Sequence, residues 1–164
     1  MLIRPALIRP ARHDDDAMWR ILEPVIRAGD TYALPADMSR DAALAYWSSP
    51  DRETFVAERG GAILGTYFLR ANQAGGGAHV ANCGYVTAGD AAGRGVGRGM
   101  AEHSLQQARA RGFTAMQFNF VVASNIRALG LWESLGFDVV GRLPGAFLHP
   151  RDGLVDALVL YRLV

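Results

Sequence analysis

The chain of 164 residues predicts a mixed α/β (α+β) domain in which helices cover a central sheet. Two observations lead there. Short runs rich in β-branched and aromatic residues alternate with longer stretches whose apolar residues recur every three or four positions. Glycine, serine and proline clusters punctuate them at Gly29-Asp30, Ser48-Ser49-Pro50, Gly60-Gly61 and Ala74-Gly75-Gly76-Gly77. No composition shift divides the chain, so residues 1–164 read as a single domain large enough to bury a core.

The elements follow in order. Leu2-Ile3-Arg4-Pro5-Ala6 repeats at once as Leu7-Ile8-Arg9-Pro10-Ala11; the second copy runs into a helix and reads as the first strand, leaving residues 1–6 as a short extension. Asp14 to Ala28 reads as a helix with aspartates at its positive end, and Pro24 is expected to kink or interrupt it. After a loop from Thr31 to Met38, Ser39 fits the N-cap of a second helix carrying Ala42, Ala43, Tyr46 and Trp47. Strands are expected at Thr54 to Glu58, Ile63 to Leu69 and His79 to Thr87. A helix from Val96 to Arg111 places Ala101, Leu105 and Ala108 on one stripe, opposite Arg98, Glu102 and Arg109. Strict alternation from Ala115 to Val122 predicts a strand with Met116, Phe118, Phe120 and Val122 on one face and Gln117 and Asn119 on the other. A short helix from Asn125 to Leu135, a strand from Phe137 to Leu143, a loop, and a strand from Leu154 to Tyr161 complete the chain.

The run Gly93-Arg94-Gly95-Val96-Gly97-Arg98-Gly99 stands at the mouth of a helix, where bare backbone N–H groups and the helix dipole suit phosphate. A Walker loop requires lysine, and the chain has none. The dinucleotide fingerprint Gly-x-Gly-x-x-Gly lacks its third glycine at the right offset. A plain flexible linker is the remaining alternative.

Bulk properties narrow the function classes. Seventeen basic and sixteen acidic residues leave a net charge of +1, which gives no global field for nucleic acid or a membrane surface. No apolar span is long and charge-free enough to cross a bilayer, and arginines interrupt the segment Met1 to Arg12 that would serve as a signal peptide. The lone Cys83 excludes an intrachain disulfide and points to the cytoplasm.

Gly84-Tyr85-Val86-Thr87, the glycine run with its helix, and Asn125-x-x-Ala128-x-x-Leu131-Trp132-x-x-x-Gly136-Phe137 resemble the two central motifs of the Gcn5-related N-acetyltransferases. The resemblance covers about residues 7 to 164 in element order. It implies a mixed sheet splayed at its middle strands, with acetyl-CoA as co-substrate in the cleft and no metal. The backbone of Tyr85, Val86 and Thr87 is then expected to pair with the pantetheine arm and polarise the thioester carbonyl, and Asn125 to contact the cofactor. The loop motif Arg/Gln-x-x-Gly-x-Gly/Ala fits either Arg94-x-x-Gly97-x-Gly99 or Ala92-x-x-Gly95-x-Gly97, and the distance to Arg111-Gly112-Phe113 favours the second. Ala92, Gly93, Arg94, Gly95, Val96, Gly97 and Arg98 are thus the pyrophosphate loop, with Arg94 or Arg98 supplying the charge that Ala92 lacks. The tyrosine that often protonates the CoA thiolate in this family is replaced by Trp132, which has no acidic hydroxyl.

On the acceptor side, a lysine-like amine costs about 4.6 kcal/mol to deprotonate at pH 7, so a base or a water chain is expected. Asn82 and Asn119, within Asn82-Cys83-Gly84-Tyr85 and Gln117-Phe118-Asn119-Phe120, resemble the asparagine pair of the branch that acetylates proline analogues such as azetidine-2-carboxylate. That resemblance makes them substrate-binding and catalytic through an ordered water, with Thr31, Tyr32 and Trp47 lining the acceptor pocket; it also implies a homodimer. The alternative for the asparagines is that they satisfy buried backbone groups beside the splay. Cys83 reads as a small core residue, His79 and His149 as surface or turn histidines, and Glu102 and His103 as pointing to different helix faces. The expected activity is acetyl transfer to a small amino acid or proline-like amine; a peptide acetyltransferase and a non-catalytic acyl-CoA sensor are the alternatives.

Overall fold

A computed structural model describes residues 4–164, so the expected extension lies partly outside the described residues. One seven-stranded sheet runs through it in the order β1-β2-β3-β4-β5-β7-β6. The strands are β1 (Leu7–Pro10), β2 (Glu53–Arg59), β3 (Ala62–Ala71), β4 (Val80–Thr87), β5 (Ala115–Val122), β6 (Asp138–His149) and β7 (Gly153–Leu163). All neighbours are antiparallel except β4 and β5, which are parallel. Helices α1 (Asp15–Ala28) and α2 (Arg40–Trp47) pack on one face, and α3 (Val96–Ala110) and α4 (Ile126–Ser134) on the other.

The strand alternation sorts the core into two layers. Phe55, Tyr67, Leu69 and Phe118 join Met100, Leu105 and Trp132 beneath α3 and α4. Val56, Phe68 and Val86 join Met18, Leu22, Ile26 and Trp47 beneath α1 and α2. Gly65 lets α3 approach β3: a Cβ there would stand 2.8 Å from the Met100 Cε. Ser39 caps α2 as expected, its hydroxyl accepting from the Ala42 amide at 3.1 Å.

Three local expectations are corrected. Helix α1 is not interrupted at Pro24; the ring is exposed, so the carbonyl left unpaired one turn earlier can be met by water. The segment expected as a loop after Leu143 is mostly strand: β6 runs past Pro144 to His149 on an edge that tolerates proline, and re-registers between Leu143 and Phe147. The turn that follows is held by His149, whose Nδ1 accepts from the Arg151 and Asp152 amides at 3.2 Å. Finally, β5 shifts register between Phe118 and Val121, so Val121 rather than Phe120 continues the Phe118 face. The Phe120 ring lies instead 6.2 Å from Phe147.

Candidate active site

The site originates where β4 and β5 part. They pair only at Val80↔Ala115 and Ala81↔Met116, after which the facing edges have no ladder partner. Buried main-chain polar groups cannot be left open, and side chains meet them. The Asn82 Nδ2 donates to the Gln117 carbonyl at 2.9 Å, the first acceptor freed by the parting. Further along, the Tyr32 hydroxyl donates to the Tyr85 carbonyl and accepts from the Tyr85 amide, each at 2.8 Å. Gly84 makes room for this, since a Cβ there would lie 2.6 Å from the Phe68 Cε1 and 3.3 Å from the Tyr32 hydroxyl.

Beyond that point the gap widens into a cavity of about 250 Å³. Its walls come from both core layers: Tyr32 and Phe68 belong to the α1/α2 side, Tyr85, Phe118 and Trp132 to the α3/α4 side. The cavity therefore passes through the sheet. Asn82 and Asn119 both line it, as do Thr31, Tyr32, Tyr85 and Asn125. The two asparagines are tied into one amide network. Asn82 Oδ1 accepts from the Arg70 Nε at 3.1 Å, Gln117 Nε2 donates to Asn119 Oδ1 at 2.9 Å, and Asn119 Nδ2 donates to Asn72 Oδ1 at 2.6 Å. Each of Asn82 and Asn119 keeps one further N–H and one further lone pair.

The remaining candidates have varied surroundings, and Cys83 and Trp132 also line the cavity. Trp47 is fully buried and donates its indole N–H to Thr66 Oγ1 at 3.0 Å, supporting Phe68 from behind rather than lining the cavity. Val86 is buried under α1 and α2, and Thr87 lines a separate groove with Arg20 and Val25. Cys83 is buried, and the loss of solvent pushes its thiol up to about 12, which makes it inert near neutral pH. His79 is exposed in a turn. Burial also raises the Tyr32 hydroxyl well above the ordinary phenol value, so it stays protonated. Trp132 packs against Phe118 at 4.5 Å and Tyr85 at 5.0 Å.

The glycine loop lies at the C-terminal end of β4. Gly93 and Gly95 adopt left-handed backbone, at φ 76° and 78°, and turn the chain into α3. The first intrahelical donor is Gly99, so the amides of Val96, Gly97 and Arg98 have no helical partner and stand at the positive end of the dipole. Such a cradle fits a pyrophosphate. Arg98 reaches α4, donating to Ser134 Oγ at 2.6 Å, whereas Arg94 is exposed. Asn125 caps α4, its Oδ1 accepting from the Ala128 amide at 3.3 Å, which leaves its Nδ2 for a ligand.

Two residues near the site escape the sequence motifs. Arg70 lines the cavity, and pairing β3 with β4 about the Gly75–Gly77 turn is what sets it opposite Asn82. Arg127 on α4 brings its Nη2 to 3.5 Å from the Cβ position of Gly93, a proximity that only the tertiary fold creates.

The sequence matches the Acetyltransferase (GNAT) family over residues 17–137. It is 28% identical over 151 residues to the N-acetyltransferase aca1 of Schizosaccharomyces pombe, covering 82% of this chain and 72% of that protein. Among solved structures, a GCN5-related N-acetyltransferase from Kribbella flavida superposes with a TM-score of 0.93 at 38% identity over 98% of both chains. The structure of yncA from Salmonella typhimurium, which holds its cofactor acetyl-CoA, shares the fold at a TM-score of 0.84 and 19% identity, over 98% of this chain and 94% of that one. With a splayed sheet, a glycine cradle and these similarities together, the chain belongs to the GNAT family, whose members move an acetyl group from acetyl-CoA to an acceptor, and it is an N-acetyltransferase.

Proposed function

We propose that the protein transfers the acetyl group of acetyl-CoA directly to the amine of a small amino acid or proline-like compound. The observation that carries this reading is the small cavity at the parting of β4 and β5, which Asn82, Asn119 and Tyr85 all line. Bound acetyl-CoA supplies a thioester carbonyl that the acceptor nitrogen attacks, the C–S bond breaking as the sulfur leaves as a thiolate. The Tyr85 amide, which donates to the Tyr32 hydroxyl in the free protein, turns to the developing oxyanion once that hydroxyl gives way. The amides of Val96, Gly97 and Arg98 and the Asn125 Nδ2 hold the phosphate and pantetheine portions, with Ala92, Gly93, Arg94 and Gly95 shaping the turn.

In this reading the remaining N–H and lone pair of Asn119 and Asn82 bind the acceptor, and an ordered water between them accepts the proton that the nitrogen loses. Thr31 and Tyr32 close the acceptor end. No carboxylate lines the cavity among the described residues, so a water-relayed proton fits the site better than a directly placed Asp or Glu base. Trp132 leaves the thiolate without a tyrosine acid, which a thiol of pKa about 8.5 tolerates near neutrality.

A cytoplasmic setting and a homodimer belong to the same reading. Cys83 is a buried free thiol. Edge strand β6 exposes Val139, Val140, Leu143 and Leu148, an apolar surface suited to a second copy of the chain, and light scattering at micromolar concentration reads the mass. Among the described residues no helix is long and apolar enough to cross a membrane.

The test is CoA release, followed with a thiol reagent, over azetidine-2-carboxylate, hydroxyprolines, common amino acids and peptides. Turnover of free amino acids with Asn119→Ala depressing it, while acetyl-CoA binding holds, supports the reading. Activity confined to peptides would replace it with the peptide acetyltransferase, and acetyl-CoA binding without any transfer would replace it with a sensor.

A further inference from the structure

We propose that Arg70 binds the carboxylate of the acceptor, so that the protein selects molecules with an acid group beside the reacting amine. The proposal rests on the small-acceptor reading above and narrows it to amino acids.

Arg70 is the one charged side chain lining the cavity among the described residues. Its place is fixed from two directions. Cross-strand register sets it opposite Asn82, and its Nε donates to Asn82 Oδ1 at 3.1 Å. Asn82 is itself anchored by its 2.9 Å bond to the Gln117 carbonyl, across the opening between β4 and β5. The Nη1 and Nη2 groups, by contrast, make no hydrogen bond among the described residues. The neighbouring carboxylate, Asp51, has its Oδ2 at 3.9 Å from Nη1, beyond hydrogen-bond reach. Asp51 is also shared: its Oδ1 lies 3.7 Å from the Nε of Arg52, whose guanidinium is sandwiched 4.2 Å from the rings of both Tyr46 and Phe68. Two guanidiniums face one carboxylate, so this end of the cavity carries uncompensated positive charge.

A guanidinium pinned at Nε with open Nη donors is preorganised for a carboxylate. Asn82 is then a positioning residue for Arg70 as much as a ligand. The charge also acts on the amine. A fixed cation nearby disfavours the ammonium form, which must lose a proton before transfer, whereas polyamines and lysine side chains, lacking a carboxylate to offset the cation, are repelled.

The experiment compares matched acceptors, azetidine-2-carboxylate against its carboxamide and proline against prolinamide, in the full chain and in Arg70→Gln and Arg70→Lys. The expected result is a preference of the parent protein for the acids, in KM, of about 30-fold. Arg70→Gln raises the acid KM by about the same factor and erases the preference, with the acetyl-CoA KM nearly unchanged and the amide KM equal or lower because the cation that repels its ammonium is gone, and Arg70→Lys recovers part of the loss. A parent protein that uses acids and amides alike, or an Arg70→Gln variant that keeps the preference, overturns the assignment of Arg70 while leaving the small-acceptor reading in place. A parent protein that acetylates peptides and neither member of any pair overturns both. Should the acetyl-CoA KM of Arg70→Gln shift as well, the parent preference and Arg70→Lys decide: a preference retained in full by Arg70→Lys favours charge alone, and one absent from the parent sinks the proposal.

Discussion

The hydroxyl of Tyr32 makes a two-way contact with the main chain of Tyr85, giving its proton to the carbonyl and receiving the amide N–H, both at 2.8 Å. It thereby occupies the backbone edge that the proposed reading assigns to the donor. In Tyr32→Phe both main-chain groups lose their partner, a cost of about 1–3 kcal/mol in the free protein. The expected outcome is a Tm lower by about 3 °C or more and a Kd for acetyl-CoA that is lower, not higher, because nothing must be displaced. Calorimetry measures both; weaker acetyl-CoA binding would show that the hydroxyl helps hold the donor.

Gly84 and Gly65 form a natural pair of controls. A Cβ at Gly84 meets the Phe68 ring at 2.6 Å and the Tyr32 hydroxyl at 3.3 Å, whereas at Gly65 it meets the flexible tip of Met100 at 2.8 Å. Gly84→Ala is expected to cost about 1–3 kcal/mol and to cut turnover, while Gly65→Ala costs less and leaves kinetics alone. Urea unfolding and steady-state rates on both variants check the contrast.

Arg127 stands over the glycine loop from α4, its Nη2 3.5 Å from the Gly93 Cβ position. An exposed arginine that meets a phosphate adds little, and its effect fades with salt. Arg127→Ala is expected to raise the acetyl-CoA KM about fivefold at low ionic strength, less at high, with the acceptor KM unchanged. Equal effects on both KM values would remove it from the donor site.

His103 gives the fold a pH dependence away from the chemistry. Its Nδ1 lies 2.7 Å from the Tyr67 hydroxyl, and burial, aided by the Arg111 charge, lowers its pKa below the ordinary imidazole value. The unfolded chain therefore binds the proton more readily, so this contribution is complete above the unfolded value of about 6.5 and is lost progressively as the pH falls from there through the lower folded value. His103→Gln is expected to flatten the change in Tm between about pH 7 and pH 5. An unaltered slope in thermal melts would refute the assignment.

Elements whose signals are local were legible in the sequence. The Ser39 cap, the bounds of β5 and the buried stripe of α3 follow from residue type and spacing. What failed depended on solvent or on neighbours. Pro24 sits in a helix because its side faces water, and β6 passes Pro144 because it lies at a sheet edge. Phe120 left its expected face because β7 pairs with β5 out of step, which alternation within β5 cannot reveal. The site divides the same way. The glycine cradle and the two asparagines lie in contiguous motifs, but Arg70 enters through cross-strand register and Arg127 through the packing of α4.

The opening between β4 and β5 has a consequence for traffic. Because its walls belong to both core layers, the sheet acts as a partition with a window in it, and the two reactants can arrive from opposite rooms. A compound that joins an amino acid to CoA through a short linker would thread that window, held at both ends by groups that never share a face of the sheet.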